Sequence, residues 1–342
     1  MATEAAVSIE LEERIRPRKP LWRKLASLAY HHPLGAIGVF ILIVMLICAV
    51  FSSLVSPYDP YQVAHSTAQI KQAPSLSHPF GTDRLGRDVL SRTIWGARIS
   101  MFIGAVAVIF GSTFGTFFGV LSGYFGKLID SLIQRCIDVL LAIPALVLLL
   151  AIISVTSDPN SAVHKFFHNY TPIPEGTWLG MPEFLKLFVM CLGISVAVAV
   201  GTARVVRGAV LSLKENVYIE AARAMGASDR RIMMRHILPN VLALVVVLST
   251  IFLPLAILAE AAISFLGLGV PQPTASWGAD LTGNNQNDAI NHAIWWPVFF
   301  PGLALSLTVL AFNMIGDSIR DISDPRLRGG GGGGGGGSST GF

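Results

Sequence analysis

Glu220, Ala221, Ala222, Arg223 and Gly226, followed by Arg230 and Arg231, stand together in one short segment, Val217–Asn240, reading VYIEAARAMGASDRRIMMRHILPN. Charged and small side chains at this spacing do the chemistry of contact, not of bond making. On a helix, Val217, Ala221 and Ala224 share a face, and Glu220 and Arg223 flank it. Alanines let another backbone come close, and charges at the rim fix which partner docks and in what register. Gly226 is able to take the left-handed conformation that ends a first helix. Ser228 then caps a second helix with Asp229 in its first turn. Arg235 and His236 fall near the end of that second helix, and Pro239 bends the chain onward. The segment reads as a two-helix knob shaped for a groove on a partner. On composition alone, a solvated, partly helical loop is an equal alternative.

A second candidate is Glu260, which ends a 19-residue uncharged run, Val241–Ala259. A carboxylate placed in apolar surroundings costs roughly 2.5–3.5 kcal/mol on membrane-insertion scales, so it must face a partner or a water-filled path. Bond-making chemistry finds no residues to carry it. There is no G-x-x-x-x-G-K-[ST] loop to cradle nucleotide phosphates, and the only Gly-Lys pair is Gly126-Lys127. No H-E-x-x-H and no G-x-S-x-G occurs, and the histidines show no metal spacing. Cys48, Cys136 and Cys191 lie in or beside apolar runs and read as small hydrophobes. The chain is therefore expected to be no enzyme and to bind no cofactor or metal of its own.

The elements that position these residues follow from composition. Of 342 residues, 52% are hydrophobic and only 13% charged, about half the charge of an ordinary soluble domain. Too few polar residues remain to cover a core, so the solvent for this surface is lipid. The net charge of +4 follows membrane topology and points to no nucleic acid. A helix needs about 20 apolar residues to cross the hydrocarbon, and six segments qualify: Leu34–Val55, Ile99–Gly126, Val139–Ser157, Leu187–Ala203, Val241–Ala259 and Ala293–Gly316. The fourth is short and is extended by letting Lys186 and Arg204 snorkel. The fold class is all-α integral membrane.

With the N-terminus placed inside, the inner segments hold 18 of the 25 Lys and Arg. This bias puts both termini in the cytoplasm and the knob on the same side. Arg84, Arg87, Arg92 and Arg98, all in the first outer loop, run against it and mark that loop as a structured element. Leu21–His32 reads either as an interfacial amphipathic helix or as a plain basic flank. The second span carries Gly111, Gly115, Gly119 and Gly123 at four-residue spacing, a ridge for close helix packing either within the chain or at a subunit seam. The run Gly329–Gly337 is a flexible tail, native or appended.

The segment EAARAMG followed by ASDRRIMMRHILP resembles the signature loop of ABC importer permeases. Three further stretches sharpen the match. They are HPFGTDRLGRDVLSR from His78, SFLGLGV from Ser264 with Ser276-Trp277-Gly278, and GDSIRD from Gly316 with Asp324-Pro325-Arg326-Leu327. Together, from about Pro33 to Leu327, they look like the second permease subunit of dipeptide, oligopeptide and nickel importers. That resemblance implies the type I importer permease fold and alternating access across a bacterial inner membrane. It implies a second homologous permease, an external substrate-binding protein and two ATPase subunits that hold ATP and Mg. Peptide is the implied solute, with nickel or another small solute as the alternative and a secondary transporter as a further one. The knob becomes a coupling helix on which the ATPase pushes, and Glu260 lies either on the translocation route or in a structural hydrogen bond. The GTDRLGRD stretch is a salt-bridged turn or a contact for the binding protein. The chain divides into a tail, 1–33, a first span with its outer loop, 34–98, and a core, 99–318, holding the coupling loop 208–240. A C-terminal segment, 319–328, and the glycine-rich end, 329–342, complete it.

Overall fold

The structure, a computed structural model, describes residues 33–323 apart from 65, 67–68, 158–159, 163–164, 166–180 and 271. Leu21–His32, the motif Asp324–Leu327 and the glycine run lie outside the described residues. Among the described residues the fold is helical, with a lone β-bridge between Thr82 and Asp88. Five helices among the described residues are long and apolar enough to cross a membrane, or six if one bent pair is a single span.

The chain enters through α1 (Pro33–Val50) and a short α2 (Ser52–Val55), then an irregular segment leads to α3 (Val89–Phe125). The expected second span starts at Ile99, but α3 starts at Val89 because Asp88 caps it. The Asp88 carboxylate accepts the Ser91 N–H at 2.8 Å. At 37 residues, α3 is about 55 Å long, well beyond the hydrocarbon thickness of about 30 Å. It overhangs the apolar layer and carries polar residues at its ends.

Next come α4 (Lys127–Ala142) and α5 (Ala145–Ser157), which meet at an 87° bend. The third span, expected as one run Val139–Ser157, is thus broken at Ile143-Pro144. Proline has no N–H to continue the ladder and disfavours the α conformation in the residue before it. α6 (Met181–Leu213) outruns the expected Leu187–Ala203. Arg204 lies within it, half-exposed, and pairs with Asp138 of α4. One turn on, Arg207 grips Asp130 through Nε and Nη2, each at 2.6 Å.

Then follow α7 (Val217–Ala224), α8 (Asp229–Ile232), a π turn (Met233–Ile237) and α9 (Leu238–Phe265). The second knob helix was expected to stop near Arg235 with a bend at Pro239. Instead it runs on into α9 through the π turn, where the Leu238 N–H donates to the Met233 carbonyl and Pro239 follows as the second residue of α9. The chain closes with α10 (Trp277–Asp280), α11 (Gly283–His292) and α12 (Trp296–Ser323). α12 begins after the expected Ala293, because Ala293 takes the left-handed conformation that ends α11.

The glycine ridge of α3 packs inside this chain, against α6. A Cβ on Gly115 would stand 2.5 Å from the Ala199 carbonyl, and one on Gly119 2.7 Å from that of Ala203. Gly111 and Gly123 meet Val198 and Val210 in the same way. The core of the bundle joins Ile103, Ala107 and Val108 of α3 to Met190, Ile194 and Val198 of α6 and Ala256 and Ile263 of α9. Overpacking such a seam costs typically 1–3 kcal/mol, occasionally more. Gly115→Leu is expected to lower the melting temperature of the detergent-solubilised protein by several degrees, whereas Gly208→Ala, at an exposed helical position open to space, is expected to leave it the same or slightly higher, since alanine favours a helix over glycine.

Candidate docking site

α7 and α8 stand at the end of the bundle where α3 finishes. Ile219, Ala222 and Ile232 turn inward and are buried. Ile219 and Ile232 join Val206 and Val210 of α6, Val120 of α3, and Ile237 and Val241 in a second apolar core. The opposite face of α7 is open: Val217 and Met225 are four-fifths exposed, and Glu220, Ala221 and Ala224 are exposed beside them. The predicted face Val217–Ala221–Ala224 is therefore the outward one. Of the sequence-derived site residues, Glu220, Ala221, Arg223, Arg230 and Arg231 are exposed on this knob, whereas Ala222, 4% exposed, packs inside the chain.

A glycine turn sets the angle between α7 and α8. Gly226 has φ +78°, a region that residues with a Cβ enter at a cost. The Ala227 N–H donates to the Ala222 carbonyl at 3.1 Å and the Gly226 N–H to that of Arg223 at 3.0 Å. This pair of bonds is the Schellman arrangement that closes a helix C-terminus. Ser228 accepts the Arg231 N–H at 3.4 Å and starts α8.

Tyr124, in the last turn of α3, is a residue that sequence reasoning missed. Its hydroxyl donates to Asp229 Oδ1 at 2.5 Å, and the Arg223 guanidinium lies against the same hydroxyl. A tyrosine at the end of an apolar helix reads from sequence as an interfacial anchor. Its partners lie about a hundred residues along the chain and leave no local signal.

Glu260 lies toward the other end of the bundle and is fully buried. Ser264 Oγ donates to its Oε1 at 2.9 Å, and the Ser100 and Ser276 hydroxyls face the carboxylate. Each of these serines also accepts a backbone N–H: Ser264 from Val270, Ser100 from Trp277 and Ser276 from Ala279. The Ser264 hydroxyl serves Oε1, the Ser100 and Ser276 hydroxyls line the carboxylate, and Oε2 has no hydrogen-bond partner among the described residues, so the carboxylate sits where α9, α3 and the start of α10 meet.

Beyond Glu260 a polar cap covers this end of the bundle. Arg92, 2% exposed, donates from Nη2 to Asp280 Oδ1 at 2.5 Å and from Nε at 3.0 Å. Its Nη1 reaches the carbonyls of Pro60 and Pro273 at 3.3 and 3.2 Å. Arg87 pairs with Asp83 at 2.6 Å, and Asp83 also accepts the N–H groups of Leu85 and Arg87. Trp277, with no exposed surface, fills the space between α3 and α9 and donates from its indole to the Thr93 carbonyl at 2.9 Å. Burial pushes the Asp280 carboxyl above the usual carboxylate range, and the Arg92 charge holds it back. The GTDRLGRD stretch is thus a salt-bridged cap fastened to a distant helix. Trp295, Phe299, Phe300 and Phe80 gather beside it, with Phe80 and Phe300 stacked at 3.8 Å between ring centroids, as aromatic rings do at a membrane–water boundary.

Comparison with known proteins places this architecture. Residues 115–329 match the family model described as binding-protein-dependent transport system inner membrane component. Residues 21–74 match that of the N-terminal TM domain of oligopeptide transport permease C. The chain is 36% identical over 307 residues to the dipeptide transport system permease protein DppC of Bacillus subtilis (strain 168), covering 90% of this chain and 85% of that protein. It is 33% identical over 329 residues to the oligopeptide transport system permease protein OppC of the same organism, covering 95% and 96%. To the glutathione transport system permease protein GsiD of Escherichia coli O6:K15:H31 it is 36% identical over 313 residues, covering 92% of each. With the family model matching well over half of its length and relatives aligned nearly end to end, the chain belongs to the binding-protein-dependent transport system inner membrane components, multi-pass permeases of the inner membrane.

Proposed function

We propose that this chain is a permease subunit of an ATP-driven importer that carries peptides across the inner membrane by alternating access. The observation that carries the reading is α7, a short helix with an open face of small and apolar side chains, set on a rigid glycine turn and backed by a core continuous with α6 and α9. An exposed apolar face of this kind on a helix invites a groove on a partner. In this reading the knob is cytoplasmic, on the side favoured by Lys and Arg, and meets one of two ATPase subunits, which hold ATP and Mg. Glu220, Ala221, Arg223, Arg230 and Arg231 face that partner, while Ala222 and Gly226 hold the shape. A second, homologous permease completes the pathway, and an external binding protein delivers the solute. The surroundings of Glu260 favour a structural clasp over a place on the route.

The solutes named for the three relatives above are all peptides, which puts peptides ahead of nickel or another small solute. The test reconstitutes the chain with its partner subunits and binding protein in proteoliposomes. A photoreactive residue in place of Ala221 is expected to cross-link to the ATPase. Uptake of a labelled dipeptide is expected to need ATP and to survive a protonophore. Uptake that collapses with the protonophore while ATP remains would show a secondary transporter instead.

A further inference from the structure

The knob meets the bundle through two kinds of contact. On its apolar side Ile219 and Ile232 pack with α3 and α6, and Ala222 is buried beside them in sequence, all without directional preference. Its directional ties converge on the last turn of α3. The Tyr124 hydroxyl donates to Asp229 at 2.5 Å with Arg223 alongside, and Lys214, in the linker before α7, donates to the Gly123 carbonyl at 3.3 Å. Immediately beyond α8 the chain passes through the π turn Met233–Ile237. A π turn interrupts the regular helical ladder and is a common site of bending. Unfastened, α7 and α8 have a place to fold back when pushed.

We propose that Tyr124 is a latch that makes the knob and α3 move as one body. The proposal rests on the reading of α7 as the ATPase-docking helix. Tyr124, buried behind the knob, offers little surface to a partner and is a positioning residue. With the hydroxyl bonded, a push on α7 passes through Asp229 and Arg223 into α3, and from α3 into α6 through the glycine seam. With it absent, the same push is absorbed at the π turn. The hydrogen bond is charge-assisted, and losing one such bond shifts a two-state balance about tenfold or more.

The experiment uses the complete transporter in proteoliposomes and reads solute moved per ATP hydrolysed. Tyr124→Phe keeps the ring in the apolar core, where Tyr124 is 8% exposed, and removes only the hydroxyl. Assembly and the Ala221 cross-link are expected to persist, ATP hydrolysis to stay within about twofold, and solute per ATP to fall about tenfold. Asp229→Asn retains an acceptor and is expected to keep most of the coupling. Tyr124→Phe combined with Asp229→Asn is expected to be no worse than Tyr124→Phe alone, because both act through one bond. A Tyr124→Phe complex with unchanged solute per ATP, cross-link intact, overturns the latch. A parallel fall in hydrolysis and uptake, leaving the ratio unchanged, overturns it too and makes Tyr124 merely structural. Loss of the cross-link in the parent complex would remove the docking reading and the latch with it, so the two failures are told apart.

Discussion

Gly226→Pro is expected to reduce solute uptake by at least about a hundredfold while the chain still inserts and the bundle still folds. The backbone there has φ +78°, and proline holds φ near −65°. Proline also removes the N–H that Gly226 gives to the Arg223 carbonyl. The turn cannot form, and a penalty of about 3 kcal/mol or more falls on the knob alone. A Cβ at position 226 meets open space, so the damage is to the backbone of the turn, including Met225, whose conformation a following proline disfavours. Gly226→Ala carries only the left-handed penalty, about 1–2 kcal/mol, and is expected to lose uptake about tenfold. Glu220→Lys leaves the backbone intact and reverses an exposed charge, so ATP hydrolysis is expected to continue with poor uptake. ATP-dependent uptake in proteoliposomes, beside native gel electrophoresis of the complex, measures all three. Wild-type uptake in both Gly226→Pro and Glu220→Lys would rule out the knob as the driven element.

The second large effect lies at the cap. Arg92→Met leaves Asp280 buried with its ion-pair partner gone, and breaking a buried pair from one side costs roughly 3–5 kcal/mol. Folded yield is expected to drop sharply. Arg92→Met together with Asp280→Leu removes both charges and is expected to recover most of it, whereas Arg92→Lys cannot reproduce the fork that spans Asp280 and two carbonyls. The single variant carries a pH signature. Burial already raises the Asp280 carboxyl, and without the guanidinium it rises further in the folded state than in the unfolded one. The folded state then binds more protons, so stability falls as pH rises through the interval between the two values. The deficit of Arg92→Met is smallest in acid and grows toward neutrality. Thermal unfolding of the detergent-solubilised variants between acid and neutral pH decides this; equal damage from the single and double changes would dismiss the pair.

The spans were legible because long apolar runs have one physical solution in lipid. The knob was legible because caps and glycine turns are local: Ser228 and Gly226 act within a few residues. What stayed hidden was long range. Arg87 and Arg92 looked like exceptions to the charge bias across the membrane until Asp83 and Asp280 were found to neutralise them inside the cap. The bond from Tyr124 to Asp229 and the grip of Arg207 on Asp130 join separate helices, and no spacing rule reports them. The break at Pro144 was visible as a proline within an apolar run, but hydropathy alone smoothed it over. The two readings of the glycine ridge were separated only by the facing carbonyls of α6.

The unusual length of α3 has a mechanical corollary. One unbroken rod links the tyrosine beside the knob to the arginine clamped in the cap. A rod of about 55 Å that tips by about five degrees around its middle carries each tip through roughly 2.5 Å, in opposite directions. That is close to the reach of a hydrogen bond. A see-saw of this size would make or break contacts at both faces of the bilayer in a single stroke, with no relay of intermediate side chains between them.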